Sequence, residues 1–244
     1  MINEAINSKI LATWNKHFGA NDEVLAPIFY DDFKQGGLLF VGMNPSFNPK
    51  GMRAILRGTE FEKLDFESFS KWSTAMSDPT HVDTSIRMGR LVKEKYSPLK
   101  RMHEIAKECN THFQHIDLFV YRQTNQNEFL PLIRDTKRVL NEFGRDQLEI
   151  FLEALKEIRP EAIVVSNAGS CGIIREHFKD KLFFDEHRGF HWLTLDTERV
   201  PVFFSSMLSG QRALDTGSYE RLKWHVVQAA GKRPPARLSV KIEI

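Results

Sequence analysis

Four polar clusters in this sequence each follow an apolar run, and their residue types suit hydrogen bonding to an organic ligand. The first is Gly42-Met43-Asn44-Pro45-Ser46, after the run Leu38 to Val41. Gly42 and Pro45 set an unusual backbone path with Asn44 held between them. The second is Asp117, which interrupts the apolar run His115 to Tyr121 and is followed by Arg122. The third is Asn167-Ala168-Gly169-Ser170, and the fourth is the segment Ser206 to Arg212, SMLSGQR. An asparagine amide can orient a water molecule but cannot deprotonate it. Asp117 either reads a donor on a ligand or pairs with Arg122 or a nearby histidine. His187 and His191 have metal-ligand chemistry, yet beside Arg188 and Trp192 they suit hydrogen-bonded structure or phosphate contact as well. Asn-Pro is also a common turn initiator, so an ordinary strand-to-loop turn would contain the same first cluster.

The elements that must position these residues follow from periodicity. Leu38 to Val41 reads as a strand buried on both faces, and His115 to Tyr121, Ala162 to Ser166 and Pro201 to Ser205 as three more. Ile6, Ile10, Trp14 and Phe18 form one stripe of an opening helix that ends near Gly19. A second helix carries Leu99, Met102, Ile105, Ala106 and Cys109. A third is expected to be capped by Asp146, with Leu148, Phe151, Leu152, Leu155 and Ile158 inward and Pro160 as its stop. Helices are also expected from about Cys171 to Phe178 and around Tyr219, Leu222 and Val226. The segment after Ser46 reads as a loop at the mouth of the sheet, and Leu182 to Thr197 as a hairpin or extended loop. Phe66 to Ser97 reads as irregular, with helix near Ile86 to Lys95. Strands alternating with helices predict an α/β fold, a three-layer α/β/α arrangement around a central four-stranded parallel sheet, in a single domain spanning 1–244. The basic stretch from about Gly231 reads as a tail or an added edge strand. Ligands of such sheets bind at the carboxyl ends of the strands, where all four clusters fall.

Composition narrows the function classes. Apolar residues make up 41% of the 244 and charged residues 27%, a normal globular balance. No apolar run approaches the roughly 20 residues of a membrane span, and MINEAINSKI lacks a signal-peptide pattern. Two cysteines, Cys109 and Cys171, are too few for a disulfide framework, a four-cysteine zinc site or an iron–sulfur cluster. A cytoplasmic monomer without membrane contact or metal cluster is expected. The net charge of +2 permits nucleic-acid binding if the cations cluster, and Arg53, Arg57, Arg87, Arg90, Lys93 and Lys95 are a candidate phosphate-binding set or a solvated helix face.

Gly42-Met43-Asn44-Pro45-Ser46 is similar to the first motif of the uracil-DNA glycosylase superfamily, in the form used by its mismatch-specific and single-strand-selective branches. Gly58-Thr59-Glu60-Phe61 resembles the Gly-x-Pro-Phe that follows in relatives, displaced by a few residues and without the Pro. Asp117 to Arg122 resembles a second-strand segment that begins there with a base-reading Asn, and Ser206 to Arg212 sits where relatives carry His-Pro-Ser or Asn-Pro-Ser. The resemblance spans roughly Leu38 to Val227. It implies a four-stranded parallel sheet between helices, DNA as partner, no cofactor, and hydrolysis of the N-glycosidic bond of an extruded nucleotide. By the same resemblance, Asn44 would position water, and Ser206 with nearby main-chain N–H groups would meet charge on the leaving base. Met43, Phe47, Phe61, Asp117 and Asn167 would hold the base. Ser46, Arg122, His187, Arg188, Gln211 and Arg212 would contact DNA, and Leu208 would be a wedge filling the hole left by the base.

Two departures redirect the expectation. The fourth motif has no His, and Asp117 replaces the Asn. A carboxylate only accepts, so it would face uracil O4 with repulsion but would suit the N4 amino group of cytosine. Because removal of plain cytosine would destroy the host genome, the expected target is a modified cytosine, hydroxymethylated or glucosylated, as in some phage DNA. The competing expectations are uracil excision in repair, a catalytically silent DNA-binding module on the same fold, and a binder of small nucleosides or sugar phosphates.

Overall fold

The computed structural model describes residues 2–95, 99–136 and 139–231, and a six-stranded, mostly parallel sheet forms its centre. In chain order the strands are β1 (Leu38–Gly42), β2 (Phe113–Asp117), β3 (Ala162–Val165), β4 (Leu182–Asp185), β5 (Phe190–Leu195) and β6 (Glu198–Phe204). Across the sheet they run β2-β1-β3-β6-β5-β4. The first four in that order are parallel, and β5 and β4 add on antiparallel. The expected four-stranded sheet is therefore corrected to six strands. Of the two forms expected for Leu182 to Thr197 the hairpin is the one present, β4 pairing antiparallel with β5, and it joins the sheet because Phe190 and Leu193 bury themselves and β5 pairs with β6 from His191↔Val202 to Leu195↔Glu198. β4 is the outer edge, with Phe183 and Phe184 exposed.

Among the described residues the helices are α1 (Glu4–Phe18), α2 (Pro49–Leu56), α3 (Phe66–Phe69), α4 (Trp72–Ser77), α5 (His81–Lys95), α6 (Lys100–Glu108), α7 (Gln126–Ile133), α8 (Glu142–Ile158), α9 (Ala168–His177) and α10 (Thr216–Ala230). They cover both faces of the sheet. Side chains alternate along a strand, so Leu39 and Val41 of β1 pack in one cluster with α1, α8 and α9, whereas Leu38 and Phe40 pack in another with α6 and α10. This two-sided burial is the reason that β1 and β3 read as unbroken apolar runs.

Capping side chains decide where several helices begin. α8 starts at Asn141, whose Oδ1 accepts from Gly144 N–H at 2.9 Å, so Asp146 is not its cap. Asp146 lies inside the helix instead and binds Lys16 and His17 of α1. Asn48 caps α2, with Pro49 in its first turn, which turns part of the expected mouth loop into helix. Phe66 to Ser97 is likewise more regular than expected: it folds as α3, α4 and α5, and Phe66, Phe69 and Met88 close a small core with Leu56 and Phe61. The basic tail after Gly231 lies outside the described residues.

Close backbone packing joins α7 to α8. A Cβ on Gly144 would collide with the carbonyl oxygen of Ile133, a backbone atom that cannot swing away. Gly144→Ala is expected to destabilise the fold by about 1–3 kcal/mol. Urea unfolding measures this, and an unchanged midpoint would contradict the packing.

Candidate functional site at the strand ends

Parallel pairing brings the carboxyl ends of β1, β2, β3 and β6 to one edge. Because β5 runs antiparallel to β6, the turn between β4 and β5 reaches the same edge and brings His187 and Arg188 with it. Asn44, Asp117, Asn167 and Ser206 therefore share one rim with that turn.

Past the sheet, the exits of β1 and β2 stay side by side. Leu118 N–H donates to Gly42 O at 3.1 Å, Phe119 N–H to Met43 O at 3.0 Å and Gln123 N–H to Pro45 O at 3.0 Å. Two side-chain amides clamp this extension. Gln147 of α8, fully buried, accepts from Val120 N–H at 3.1 Å and Tyr121 N–H at 3.2 Å. Asn44 donates through Nδ2 to Gln123 O at 2.6 Å and Tyr121 O at 3.3 Å. Carbonyls only accept, so they fix which end of the Asn44 amide is NH2. Its Oδ1 is thereby left as an acceptor with no protein donor among the described residues. Asn44 is held rigidly and can orient water. Gln147 was missed by the sequence reading because one buried glutamine on an apolar helix face carries no motif.

Asp117 is the register partner of Gly42, and its carboxyl lies where a side chain on Gly42 would be. A Cβ there would overlap Asp117 Oδ1 and come 3.2 Å from His115 Nε2. Glycine is thus required by close approach. Burial pushes the Asp117 carboxyl above the usual carboxylate range, opposed only by the nearby His115. Its charge and burial together raise the Tyr30 hydroxyl as well, burial being the larger cause. Asp117 makes no ion pair with Arg122. That arginine turns away from the rim and donates through Nε to Ala26 O at 3.1 Å, so its expected role at a rim phosphate is corrected.

The other candidates divide. Phe47 is half-buried at the rim, stacked on Phe66 at 5.7 Å, with its backbone N–H and C=O both bonded to the Thr124 hydroxyl. Phe61 is instead only 8% exposed, packed in the small core under the Arg87 guanidinium, and cannot offer a free face. Met43 is also core: its side chain fills the space beside Gly169, and its sulfur accepts from the Ser170 hydroxyl at 3.5 Å. Asn167 caps α9, its Oδ1 accepting from Gly169 and Ser170 N–H, so its acceptor end is spent on structure.

Leu208 is not a wedge. It is 3% exposed and belongs to the core under α10, because Arg101 donates to Leu208 O at 3.2 Å and Leu214 O at 2.9 Å and draws the loop inward. The exposed apolar side chain of that loop is Met207. Ser206 is half-buried, and Ser46, Gln211 and Arg212 are exposed. In the β4–β5 turn, Asp185 accepts from the backbone of His187 and Arg188 and from the Trp192 indole, which leaves both side chains at the surface. His191 is packed edge-on against Phe204, and burial lowers its pKa, so it is structural rather than a ligand. Among the described residues no group of three or more His, Cys, Asp and Glu could hold a metal ion, and no helix is long and apolar enough to cross a membrane.

The expected phosphate-binding cations are largely engaged within the chain. Arg53 pairs with Glu67, Arg87 with Glu60 and Asp83, and Arg90 with Asp31, while Lys95 donates to Ile55 O. No family model matches this chain. No curated protein is significantly similar to it either. The rim gathers a fixed amide with a free acceptor, a partly buried carboxyl, a half-open aromatic ring and surface cations.

The enclosed carboxyl makes a stability prediction. A folded-state pKa raised above its unfolded value gives stability that is full below about pH 4 and is lost as pH rises through the folded value. Asp117→Asn should therefore be more stable than wild type at pH 7, with the difference closing below about pH 4. Thermal melting across that range measures it, and a gap independent of pH would refute the placement.

Proposed function

We propose that this protein is a monofunctional DNA glycosylase that removes a flipped-out modified cytosine. What carries the reading is the pairing of Asn44, whose Oδ1 is free to orient water, with Asp117 on the same rim, whose carboxyl burial shifts towards the protonated form. N-glycosidic cleavage proceeds through an oxocarbenium-like sugar and an electron-rich leaving base, so it needs an oriented water and a proton for the base, not a strong general base. A protonated Asp117 donates to cytosine N3 while its other oxygen accepts from the N4 amino group. The C1′–N1 bond then breaks with its electron pair moving into the base, which leaves carrying that proton. Water held by Asn44 adds to C1′ and loses its own proton to solvent. Phe47 supplies the flat face for the base, and Met207 is the apolar side chain available to fill the hole in the stack. Arg188, His187, Gln211 and Arg212 are the rim groups open to phosphates.

A modified cytosine foreign to the host, hydroxymethylated or glucosylated as in phage DNA, reconciles cytosine recognition with survival of the host genome. The protein would then act in defence rather than in repair. Uracil excision is the second reading, favoured by the first motif, and a protonated Asp117 is also able to donate to uracil O4 and accept from its N3–H, so a panel of substrates separates the two.

The test is a panel of DNAs carrying uracil, cytosine, methyl-, hydroxymethyl- and glucosyl-hydroxymethyl-cytosine, assayed for abasic sites. Release of a modified cytosine is expected, and no release from any substrate would overturn the reading. Asn44→Ala should still fold, less stable by about 1–3 kcal/mol for the carbonyls it leaves unpaired, and lose ~100-fold or more in kcat, because water positioning acts in the chemical step. Equal losses in binding and turnover would contradict that role. Asp117→Asn should shift preference toward uracil; wild type that excises uracil and ignores every cytosine derivative would sink the cytosine assignment.

A further inference from the structure

The segment between β1 and α6 encloses a polar cluster that the rim does not use. His81 begins α5, is 1% exposed and stacks on Phe69 at 4.2 Å, and its Nδ1 has no hydrogen-bond partner. Ser85, one turn along the same helix, and Ser70, before α4, are 8% and 3% exposed, and both hydroxyls are also unpartnered. Arg122 joins this group through Ala26: Arg122 Nε donates to Ala26 O, and Ala26 N–H donates to Ser70 O at 2.8 Å. Neither Nη of Arg122 has an acceptor among the described residues, and no carboxylate pairs with it.

Such an arrangement is costly without a counter-ion. Nearly all buried polar groups are hydrogen-bonded, and a cation leaving water needs compensation. Burial lowers the Arg122 guanidinium to about 10, and burial, with the Arg122 charge second, lowers His81 to about 4. His81 is therefore neutral at pH 7 and can donate through Nδ1. The cation to be met is that of Arg122, while the Asp78 carboxylate acts on His81 in the opposite sense to burial and Arg122. Two Nη groups, two hydroxyls and one imidazole, drawn from three chain segments, supply more donors than the two oxygens of a carboxylate can use, and suit a tetrahedral oxyanion. Arg122 is itself half-buried, whereas the unpartnered polar atoms of His81, Ser70 and Ser85 are closed to solvent, so a phosphoryl group would enter from the Arg122 side and meet its Nη groups first.

We propose that Arg122, His81, Ser70 and Ser85 form an anion site for a phosphoryl group, separate from the rim. It is linked to the rim, because the carbonyls of Tyr121 and Gln123 that hold Asn44 flank Arg122 in the chain. The phosphoryl group is either a phosphodiester of a bound strand or a free phosphate or nucleotide. This inference rests on the buried cluster and not on the glycosylase reading, and its test involves no base release.

Inorganic phosphate, titrated at constant ionic strength against chloride, should raise the Tm of wild type saturably, and Arg122→Met should lose that rise. Since Arg122→Met removes an uncompensated charge, its Tm without phosphate should be equal to or above that of wild type. If that variant does not fold, Ser70→Ala combined with Ser85→Ala should weaken the phosphate response at least several-fold. In a second arm, binding of a short single-stranded oligonucleotide is followed against salt. A strand phosphodiester at the site predicts that Arg122→Met lowers the slope of log K against log salt by about 1. A phosphate response with an unchanged slope assigns the site to free phosphate or a nucleotide. Neither a phosphate response nor a slope change, or the same response in wild type and the variants, overturns the proposal.

Discussion

The closest constraint in the molecule is the approach of the Asp117 carboxyl to the backbone of Gly42, and the candidate site depends on it. Register pairing of β1 and β2 places the two residues side by side, and only the missing side chain of Gly42 leaves room. The consequence is electrostatic. A carboxyl packed over a strand, with no ion pair, loses its hydration and keeps its proton more tightly. Gly42 is thus both the end of the central strand and the reason that a carboxyl can sit on the rim with its proton held more tightly than in water.

Rigidity comes from the two amides that bracket the neighbouring segment. Gln147 reaches from α8 to the amides of Val120 and Tyr121, and Asn44 reaches from the exit of β1 to the carbonyls of Tyr121 and Gln123. Each satisfies backbone groups that leave the regular ladder at the strand end, where unpaired groups would be costly. The same bonds orient Asn44, so a structural need and a chemical one are met by one set of contacts. Arg101 plays a parallel part across the rim, binding two carbonyls of the β6 exit loop while stacking on Tyr219. The loop is held by its backbone, which is why Leu208 turns inward and Met207 outward.

Charge is distributed unevenly. The arginines of α2 and α5 are largely paired with carboxylates, Arg53 with Glu67 and Arg87 with Glu60 inside the segment between β1 and α6, and Arg90 with Asp31 before β1, rather than presenting a cationic surface. Exposed pairs of this kind add little to stability, but they remove charges from competition for a ligand. Arg122 stands apart, half-buried and with only one main-chain acceptor. On the rim, Arg212 of the β6 exit loop has no carboxylate partner among the described residues, while Arg188 of the β4–β5 turn pairs with Asp185 and lies over Trp192.

Local pattern determined much of this protein. The buried strands β1, β3 and β6, the α1 stripe from Ile6 to Phe18 and the gathering of polar residues at one sheet edge follow from strand burial and helix periodicity, whereas the second strand forms two residues earlier than expected, at Phe113–Asp117, as a half-exposed edge. Contacts distant in the chain decided the rest. β4 and β5 joined the sheet because β6 offered a free edge, a fact about strand order that the exposed Phe183 and Phe184 could not reveal. Phe61 and Phe47 look alike as aromatic residues in a Gly- and Pro-rich stretch, yet a small core around Leu56 and Met88 took one and left the other at the rim. Asp146 had the chemistry of a cap, but Asn141 lay where the chain entered the helix. Whether Asp117 would pair with Arg122 depended on which way each side chain left the β2 exit: Asp117 packs against Gly42, whereas Arg122, beyond the bend at Leu118, binds Ala26 O. Residue type fixes what a group is able to do, whereas burial and register fix which of those abilities remains free.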